Sequence, residues 1–359
     1  MYDVLVIGAG PAGSNISYLL SRKGLKVRLV DLKKEVGIPN HCSGLVDQRV
    51  VNIVGEDLVI NRPDSAEIST PAGSFSLKSE RMSVIDRVSL DKKLAEMAVS
   101  AGSDLSLGTM LIDFQQKEGF VAAKLKSKGG FEQIEARFII GADGPTSTVR
   151  RNLRIKAPKL LTSIQYDVSK KSNRVKINLD RRETPDFFSW EIPTGREDEI
   201  GSSGSGSEEA VKRMSSGETI LRKRGGLIPI GPTDLGNGSG FLIGDSAGLS
   251  KATTGGGLYA ALKSGEALSK AFESEGSILR SYEKFWQKSF GSEINRDYRI
   301  RKLMDRFEKH YRLWVPLAKS SLSGINKVGD VDYPSRTFLY ILGSFPLTFP
   351  LVLAEFISQ

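Results

Sequence analysis

Residues 3–13, Asp3-Val4-Leu5-Val6-Ile7-Gly8-Ala9-Gly10-Pro11-Ala12-Gly13, decide the fold. An apolar strand-like run enters a glycine-rich turn, and a helical stretch follows to about Lys23. A second strand-like run spans Lys26 to Leu32, so the chain opens as strand, turn, helix, strand. The turn fits G-x-G-x-x-G at a helix N-terminus, where backbone N–H groups and the helix dipole stabilise a pyrophosphate. Gly8 permits the tight turn, Gly10 lets phosphate approach the backbone, and Gly13 lets the helix pack closely on the strand. Asp31 closes the second strand, where a carboxylate takes a ribose hydroxyl pair. Glycine-rich turns also occur for purely structural reasons; the flanking strand and helix and the acid at the second strand's end point to a dinucleotide.

The remaining composition narrows the chemistry. With 359 residues, 39% hydrophobic and 26% charged, the chain is long enough for one large or two medium domains and is globular in composition. Its single cysteine, Cys42, excludes an internal disulfide and a thiolate metal cluster, and with only His41 and His310 a His-rich metal site is equally excluded. Chemistry falls to an organic cofactor or to carboxylates. A lone cysteine and an apolar strand starting almost at Met1 suit a reducing, cytoplasmic setting. The net charge of +9 favours an anionic contact, whether phospholipid, nucleic acid or a phosphorylated substrate.

Further along, Val88, Leu90, Leu94, Met97 and Ala98 have helical spacing, and Arg137-Phe138-Ile139-Ile140 reads as a buried strand closed by Gly141. Between 157 and 200 the pattern alternates, as in Ser163 to Val168 and Arg174 to Leu179, which predicts antiparallel strands. The segment Gly201 to Ser207 suits either a flexible linker or a turn before a helix starting at Glu208 with Ser207 as its N-cap. Buried-strand character returns at Leu227-Ile228-Pro229-Ile230 and at Gly240 to Gly244, followed by a helix from about Gly257 to Phe272. Residues 278–314 carry aromatic and apolar groups at helical spacing amid Lys and Arg.

Two later segments select the cofactor. Ile139-Ile140-Gly141-Ala142-Asp143-Gly144, with Ser147 and Arg150 beyond, and Phe241-Leu242-Ile243-Gly244-Asp245 each place an Asp at the end of an apolar strand. They resemble the later fingerprints of the flavoprotein hydroxylase superfamily, which implies FAD and gives Asp245 the ribityl-pyrophosphate region. A capping or turn role is the plain alternative for each Asp. Gly255-Gly256-Gly257-Leu258 then opens a helix whose positive end suits negative charge at the pyrimidine edge of a reduced flavin.

A narrower resemblance follows. Gly37-Ile38-Pro39-Asn40-His41-Cys42-Ser43-Gly44-Leu45-Val46 looks like the Cys-containing loop of geranylgeranyl reductases. Val84-Ile85-Asp86-Arg87 with Leu90-Asp91 and Leu94-Ala95 is similar to the segment that supplies an Arg to the cofactor. Thr253-Thr254-Gly255-Gly256-Gly257, Tyr282-Glu283-Lys284-Phe285-Trp286 and Phe290-Gly291-Ser292-Glu293-Ile294 match later blocks, so the resemblance covers roughly residues 1–305. Ala252 replaces a proline of the pattern. Tyr-x-Trp-x-Phe-Pro of the family's substrate domain stands here as Phe188-Ser189-Trp190-Glu191-Ile192-Pro193, losing a hydroxyl and a ring.

The resemblance implies an α/β fold: a Rossmann-like FAD-binding domain, an inserted antiparallel-sheet substrate domain and a helical C-terminal region. The expected boundaries are 1–60, 80–156 and 225–275 for the flavin domain, 61–79 and 157–224 for the substrate domain, and 276–359 for the helices. Cofactor contacts are implied at Gly8, Gly10, Pro11, Ala12, Gly13, Asp31 and Leu32 in the first unit. Cys42, Ser43, Gly44, Arg87 and Met110 follow, then Ala142, Asp143 and Gly144, and finally Gly244, Asp245, Gly256, Gly257 and Leu258. Phe188, Trp190 and Pro193 are implied to line the substrate pocket, core packing being the plain alternative for Phe188 and Trp190. Cys42 is also the candidate for gating or proton delivery, its plain alternative being a small buried filler.

The implied activity is FAD-dependent reduction of carbon–carbon double bonds in the isoprenoid (geranylgeranyl) chains of lipids. Hydride alone added to an isolated alkene leaves an unstabilised carbanion, so hydride from reduced flavin N5 must be coupled to protonation. No second G-x-G-x-x-G follows a strand, leaving NADPH, ferredoxin or a deazaflavin as the external electron donor. The nearly uncharged tail Thr337 to Ile357, interrupted by Pro346 and Pro350, suits an interfacial or core-docking segment better than a membrane span. The basic run Arg296, Arg299, Arg301, Lys302, Arg306, Lys309 and Arg312 either meets anionic headgroups at the inner face of the cell membrane or forms a solvated helix face. No nucleic-acid partner is expected. The competing functions are an aromatic monooxygenase or halogenase on the same scaffold, a non-catalytic prenyl-binding protein, and an RNA-modifying flavoenzyme, whose Cys-rich chemistry this chain lacks.

Overall fold

The strand Tyr2–Ile7 is buried from Val4 onward on both faces, as a strand covered on both sides must be. In the computed structural model, which describes residues 1–78, 81–307, 311–328 and 330–344, it lies at the centre of the first sheet. Val27–Asp31 pairs with it in parallel on one side and Gly130–Gly141 on the other. Asp104–Leu107 and Gly240–Leu242 extend the parallel set outward. The helix Pro11–Ser21 packs against both Arg87–Ser100 and Leu258–Ala271. Gly130–Gly141 is longer than its apolar end suggests: residues 130–136 pair antiparallel with Phe120–Ser127, and the mostly exposed side chains there gave no buried-strand signal.

The second sheet has seven strands. In spatial order they are Ile220–Ile230, Lys159–Val168, Asp198–Ser203, Ser189–Pro193, Arg174–Asn178, Ser65–Thr70 and Gly73–Lys78. All neighbours are antiparallel except Arg174–Asn178 beside Ser65–Thr70, which is parallel. One face packs Leu161, Val175, Trp190 and Ile192 against Met82, Val84 and Ala252. The helix Ser207–Met214 covers the opposite face through Val211 and Met214, against Tyr166, Val168 and Ile200.

Two sequence expectations change here. The segment 201–207 is no linker: Gly201, Ser202 and Ser203 end a buried strand, and Gly201 is small because the Trp190 ring occupies the space its side chain would fill. The helix starts at Ser207 with Gly206 as N-cap, whose φ of 74° favours glycine, rather than at Glu208 capped by Ser207. Leu227-Ile228-Pro229-Ile230 belongs to the edge strand of the second sheet, with Ile230 opposite Lys159, so the chain leaves that sheet only after 230.

Helices Ile278–Trp286, Ser292–Phe307, Tyr311–Ser320, Leu322–Val328 and Pro334–Gly343 complete the C-terminal region. The tail from Phe345 on, with Pro346 and Pro350, lies outside the described residues, as do the side chains of Arg306, Lys309 and Arg312. Among the described residues no helix is long and apolar enough to cross a membrane.

Candidate active site

The three glycine-and-aspartate turns meet at the C-terminal edge of the first sheet. A Cβ on Gly8, whose φ is 102°, would overlap the Ala142 carbonyl oxygen, and one on Gly13 would overlap that of Gly8. A Cβ on Gly244 would stand 3.1 Å from that of Ala12. Gly10 differs: nothing lies within 4 Å of where its side chain would project. Pro11 begins the helix without a side-chain cap, so the N–H groups of its first turn face that open space. This arrangement fits a pyrophosphate, with dense packing behind the turn and a bare, donor-rich surface before it.

Asp31 holds the entrance, accepting from the Ala9 N–H at 2.6 Å and the Lys33 N–H at 2.7 Å, and each oxygen keeps a further lone pair. Leu32 beside it is exposed. Asp143 caps the short helix Thr148–Asn152 through Oδ2, at 2.7 and 3.2 Å from the N–H groups of Thr148 and Val149. Its Oδ1 is buried without a partner among the described residues, and burial pushes the carboxyl upward. The capping role and an unmet acceptor therefore coexist in one side chain. Gly144 has φ 76° and open space before it. Arg150 ties the second turn to the third, donating to the carbonyls of Pro145 and Ser246 at 2.7 Å each.

A second cluster gathers around Arg87. It donates to Asp91 at 3.0 Å, faces the half-buried Cys42 thiol, and stands near Asp245. Burial alone would lower the Arg87 guanidinium, but Cys42 and Asp91 raise it overall; its buried Nε has no partner among the described residues. Desolvation pushes the Asp245 carboxyl up to about 6 against the pull of Arg87. A Cβ on Gly257 would be 2.9 Å from Asp245 Oδ1, and one on Gly44 would be 3.4 Å from Arg87 Cγ. The loop is shaped locally: the Cys42 N–H donates to Asn40 Oδ1 at 3.0 Å, and the Leu45 N–H to Ser43 Oγ at 3.4 Å. The helix Leu258–Ala271 also starts uncapped by any side chain. Met110 is exposed at the start of Met110–Lys117.

The aromatic wall belongs to the second sheet. Phe187 stacks on Phe188 at 4.2 Å, and Phe188 meets Trp190 edge-on at 5.8 Å. A Cβ on Gly255 would stand 3.2 Å from Ile228 Cδ1 and 3.4 Å from Phe187 Cζ, so this wall abuts the glycine turn. Arg301 bridges the two, its guanidinium 5.1 Å above the Phe187 ring and hydrogen-bonded to the carbonyls of Asp186 and Ala252. Pro193 is farther along the strand, its carbonyl accepting from Asn61 Nδ2 at 2.9 Å.

Sequence reasoning missed the ionic support of that wall. Trp190 Nε1 donates to Glu199 at 2.9 Å; Arg224 bonds Glu199 at 2.6 Å and also Asp167; Trp190, Glu199 and Asp167 are buried and Arg224 is largely so. Burial pushes the Glu199 carboxyl up and Asp167 adds to that, against Arg224 and the indole N–H. No pattern signalled it: the charges are consecutive in their strands, as Asp198-Glu199 and Arg222-Lys223-Arg224, and read as solvated. Asp297 was missed too: it is buried on the helix Ser292–Phe307, and Thr253 donates to it through both N–H and hydroxyl.

Comparison with known proteins agrees with this geometry. The FAD binding domain family matches residues 1–200. Digeranylgeranylglycerophospholipid reductase 2 of Methanothermobacter thermautotrophicus is 28% identical, covering 93% of this chain and 97% of that protein. Geranylgeranyl diphosphate reductase of Rhodobacter capsulatus is 31% identical over 75% of this chain and 74% of its own. Among solved structures, a geranylgeranyl bacteriochlorophyll reductase-like protein from Thermoplasma acidophilum superposes with a TM-score of 0.81 at 21% identity, covering 99% and 98% of the two chains. A flavin-dependent brominase shares the fold at a TM-score of 0.74 and 16% identity, covering 95% and 98%.

Proposed function

We propose, on the premise that this chain belongs to the FAD binding domain family and to its geranylgeranyl reductases, that it saturates double bonds in the isoprenoid chains of membrane lipids. The observation that carries the reading is the contact between Phe187 and the Gly255 turn: an aromatic, water-poor wall adjoins the cradle fitted for a flavin nucleotide.

FAD, bound and reduced by an external donor, supplies a hydride from N5. Everything else falls to the protein. Gly10, Pro11, Ala12 and Gly13 would hold the pyrophosphate, Asp31 the ribose, and Asp143, Gly144, Gly244 and Asp245 the ribityl-pyrophosphate region. Gly256, Gly257 and Leu258 present the helix terminus to the pyrimidine edge. Arg87, held by Asp91, stands between Asp245 and the 42–44 loop and brings the Cys42 thiol to the cofactor edge. Cys42 holds the proton that must reach the second alkene carbon. Phe188 and Trp190 align an apolar chain and exclude water, which keeps hydride transfer from being short-circuited by solvent.

In this reading the flavin unit comprises 1–60, 80–156 and the chain from about 231 to 275, and the substrate unit is the seven-stranded sheet. The substrate is a digeranylgeranylglycerophospholipid or a close relative. The electron donor is soluble, and the protein meets the inner face of the membrane through the exposed Leu339 and Tyr340 of Pro334–Gly343 with neighbouring basic groups. The test is mass spectrometry of lipids from cells expressing the protein: isoprenoid chains gain mass in two-hydrogen increments. Unchanged chains together with oxygen consumption coupled to an aromatic substrate would replace this reading by a monooxygenase.

A further inference from the structure

Lys251 opens the turn that ends at Gly257, and its ammonium is buried. Nζ donates to Asp332 Oδ1 at 2.8 Å and to the Val331 carbonyl at 2.7 Å. A Cβ on Gly256 would stand 3.0 Å from Lys251 Cε and 3.3 Å from Nζ, so this charge sits beside the backbone assigned to the flavin. The Lys251 N–H donates to the Gly256 carbonyl at 3.0 Å, and the Gly255 N–H to the Lys251 carbonyl at 2.8 Å. Moving Lys251 therefore moves the turn.

The stretch that delivers Asp332 is itself fixed at both ends. Asp330 accepts both arms of Arg49, at 2.7 and 2.6 Å, and the N–H groups of Asp332 and Tyr333. The N–H and hydroxyl of Ser335 donate to the buried Glu293 at 3.0 and 2.6 Å. Asp332 Oδ2 is buried without a partner among the described residues, so the carboxylate is committed to Lys251.

We propose that Lys251 and Asp332 are a positioning pair for the cofactor: the C-terminal stretch 330–335 supplies the charge that balances Lys251, and this balance sets the 251–257 turn and the redox poise of the flavin held there. The inference rests on the reading that this turn touches FAD. A buried charge beside a bound redox group acts through little water, so it is weakly screened. Reduction brings negative charge to the flavin, which an unbalanced Lys251 favours and an unbalanced Asp332 opposes.

The experiment measures the midpoint potential of bound FAD in the full-length holoprotein, and FAD affinity by titrating deflavinated protein. Asp332→Asn, close to isosteric, raises the potential; Lys251→Met lowers it; the double variant returns it toward the starting value. Each single variant binds FAD about tenfold more weakly, the effect of roughly one charge-assisted hydrogen bond. A pair with a purely structural role would loosen FAD in both variants without moving the potential in opposite directions. Shifts of one sign, or none, overturn the proposal. If Lys251→Met does not fold, Asp332→Asn against Asp332→Glu decides: the potential must rise in the first and return in the second. Gly257→Val separates the two levels. Should it abolish FAD binding while the pair variants leave the potential unmoved, only the pair fails; should it bind FAD normally, the assignment of the turn fails.

Discussion

Gly10→Ala isolates the cofactor claim from the stability of the fold. Gly10 has φ −75° and ψ −175°, a conformation open to alanine, and its missing side chain would meet nothing within 4 Å. The cost to the apoprotein is at most about 1 kcal/mol, the difference between glycine and alanine at a helix N-cap. With FAD bound, the methyl group enters the space assigned to the pyrophosphate. Overpacking a close-fitted site costs about 1–3 kcal/mol, which corresponds to an affinity loss of roughly five- to 150-fold. Gly13→Ala is the control, because its Cβ would overlap the Gly8 carbonyl oxygen. There the fold itself loses about 1–3 kcal/mol, less the 0.5–1 kcal/mol that alanine gains over glycine within a helix. The assay pairs thermal unfolding of deflavinated protein with FAD titration followed by quenching of flavin fluorescence. Wild-type FAD affinity in Gly10→Ala would refute the assignment of that face to the pyrophosphate. A drop in Tm as large as that of Gly13→Ala would show instead that Gly10 is a packing position.

Three further outcomes follow from the site. Arg224→Met leaves Glu199 buried without its cation, while Asp167 keeps Arg222 at 2.6 Å, so stability falls by about 3 kcal/mol, measured by denaturant unfolding; a loss below about 1 kcal/mol would mean that the network is solvated. Asp245 has a folded-state pKa near 6, above its ordinary value, so the folded apoprotein holds the extra proton. Its contribution therefore falls as pH rises from about 4 to 6, and Asp245→Asn should raise the Tm of deflavinated protein at pH 7 while leaving it nearly unchanged at pH 4. Cys42→Ala should keep FAD and lower kcat about a hundredfold if the thiol transfers the proton; wild-type turnover with FAD bound would remove Cys42 from that role.

The opening β-α-β unit was legible because its signals are local: Val4 to Ile7 alternate over two covered faces, and Gly8 and Gly13 are demanded by contacts within that unit and with the next turn. The later Asp143 and Asp245 turns were legible for the same reason. Trp190 was identified as a wall residue, but not what holds it. Glu199, Asp167 and Arg224 come from three strands whose charges, read singly, imply a solvent face; only the sheet register shows them neutralising one another inside. Gly201 and the serines after it have a linker's composition because room for an indole and freedom of a chain both call for small residues. Leu227 to Ile230 is apolar whichever sheet it joins, so composition had no means of assigning it. Lys251 and Asp332 lie 81 residues apart, and no periodicity connects them.

Arg301 gives the molecule a mechanical property that its two sheets lack on their own. One guanidinium grips the peptide before the aromatic wall, the peptide before the glycine turn, and the face of Phe187 between them. The spacing between the aromatic wall and the glycine turn is thereby braced by one side chain, in addition to the apolar packing of Ala252 with Phe187 and Trp190. On the proposed function, a larger side chain at Phe187 is expected to push on that brace, so a change in the wall would be felt at the glycine turn.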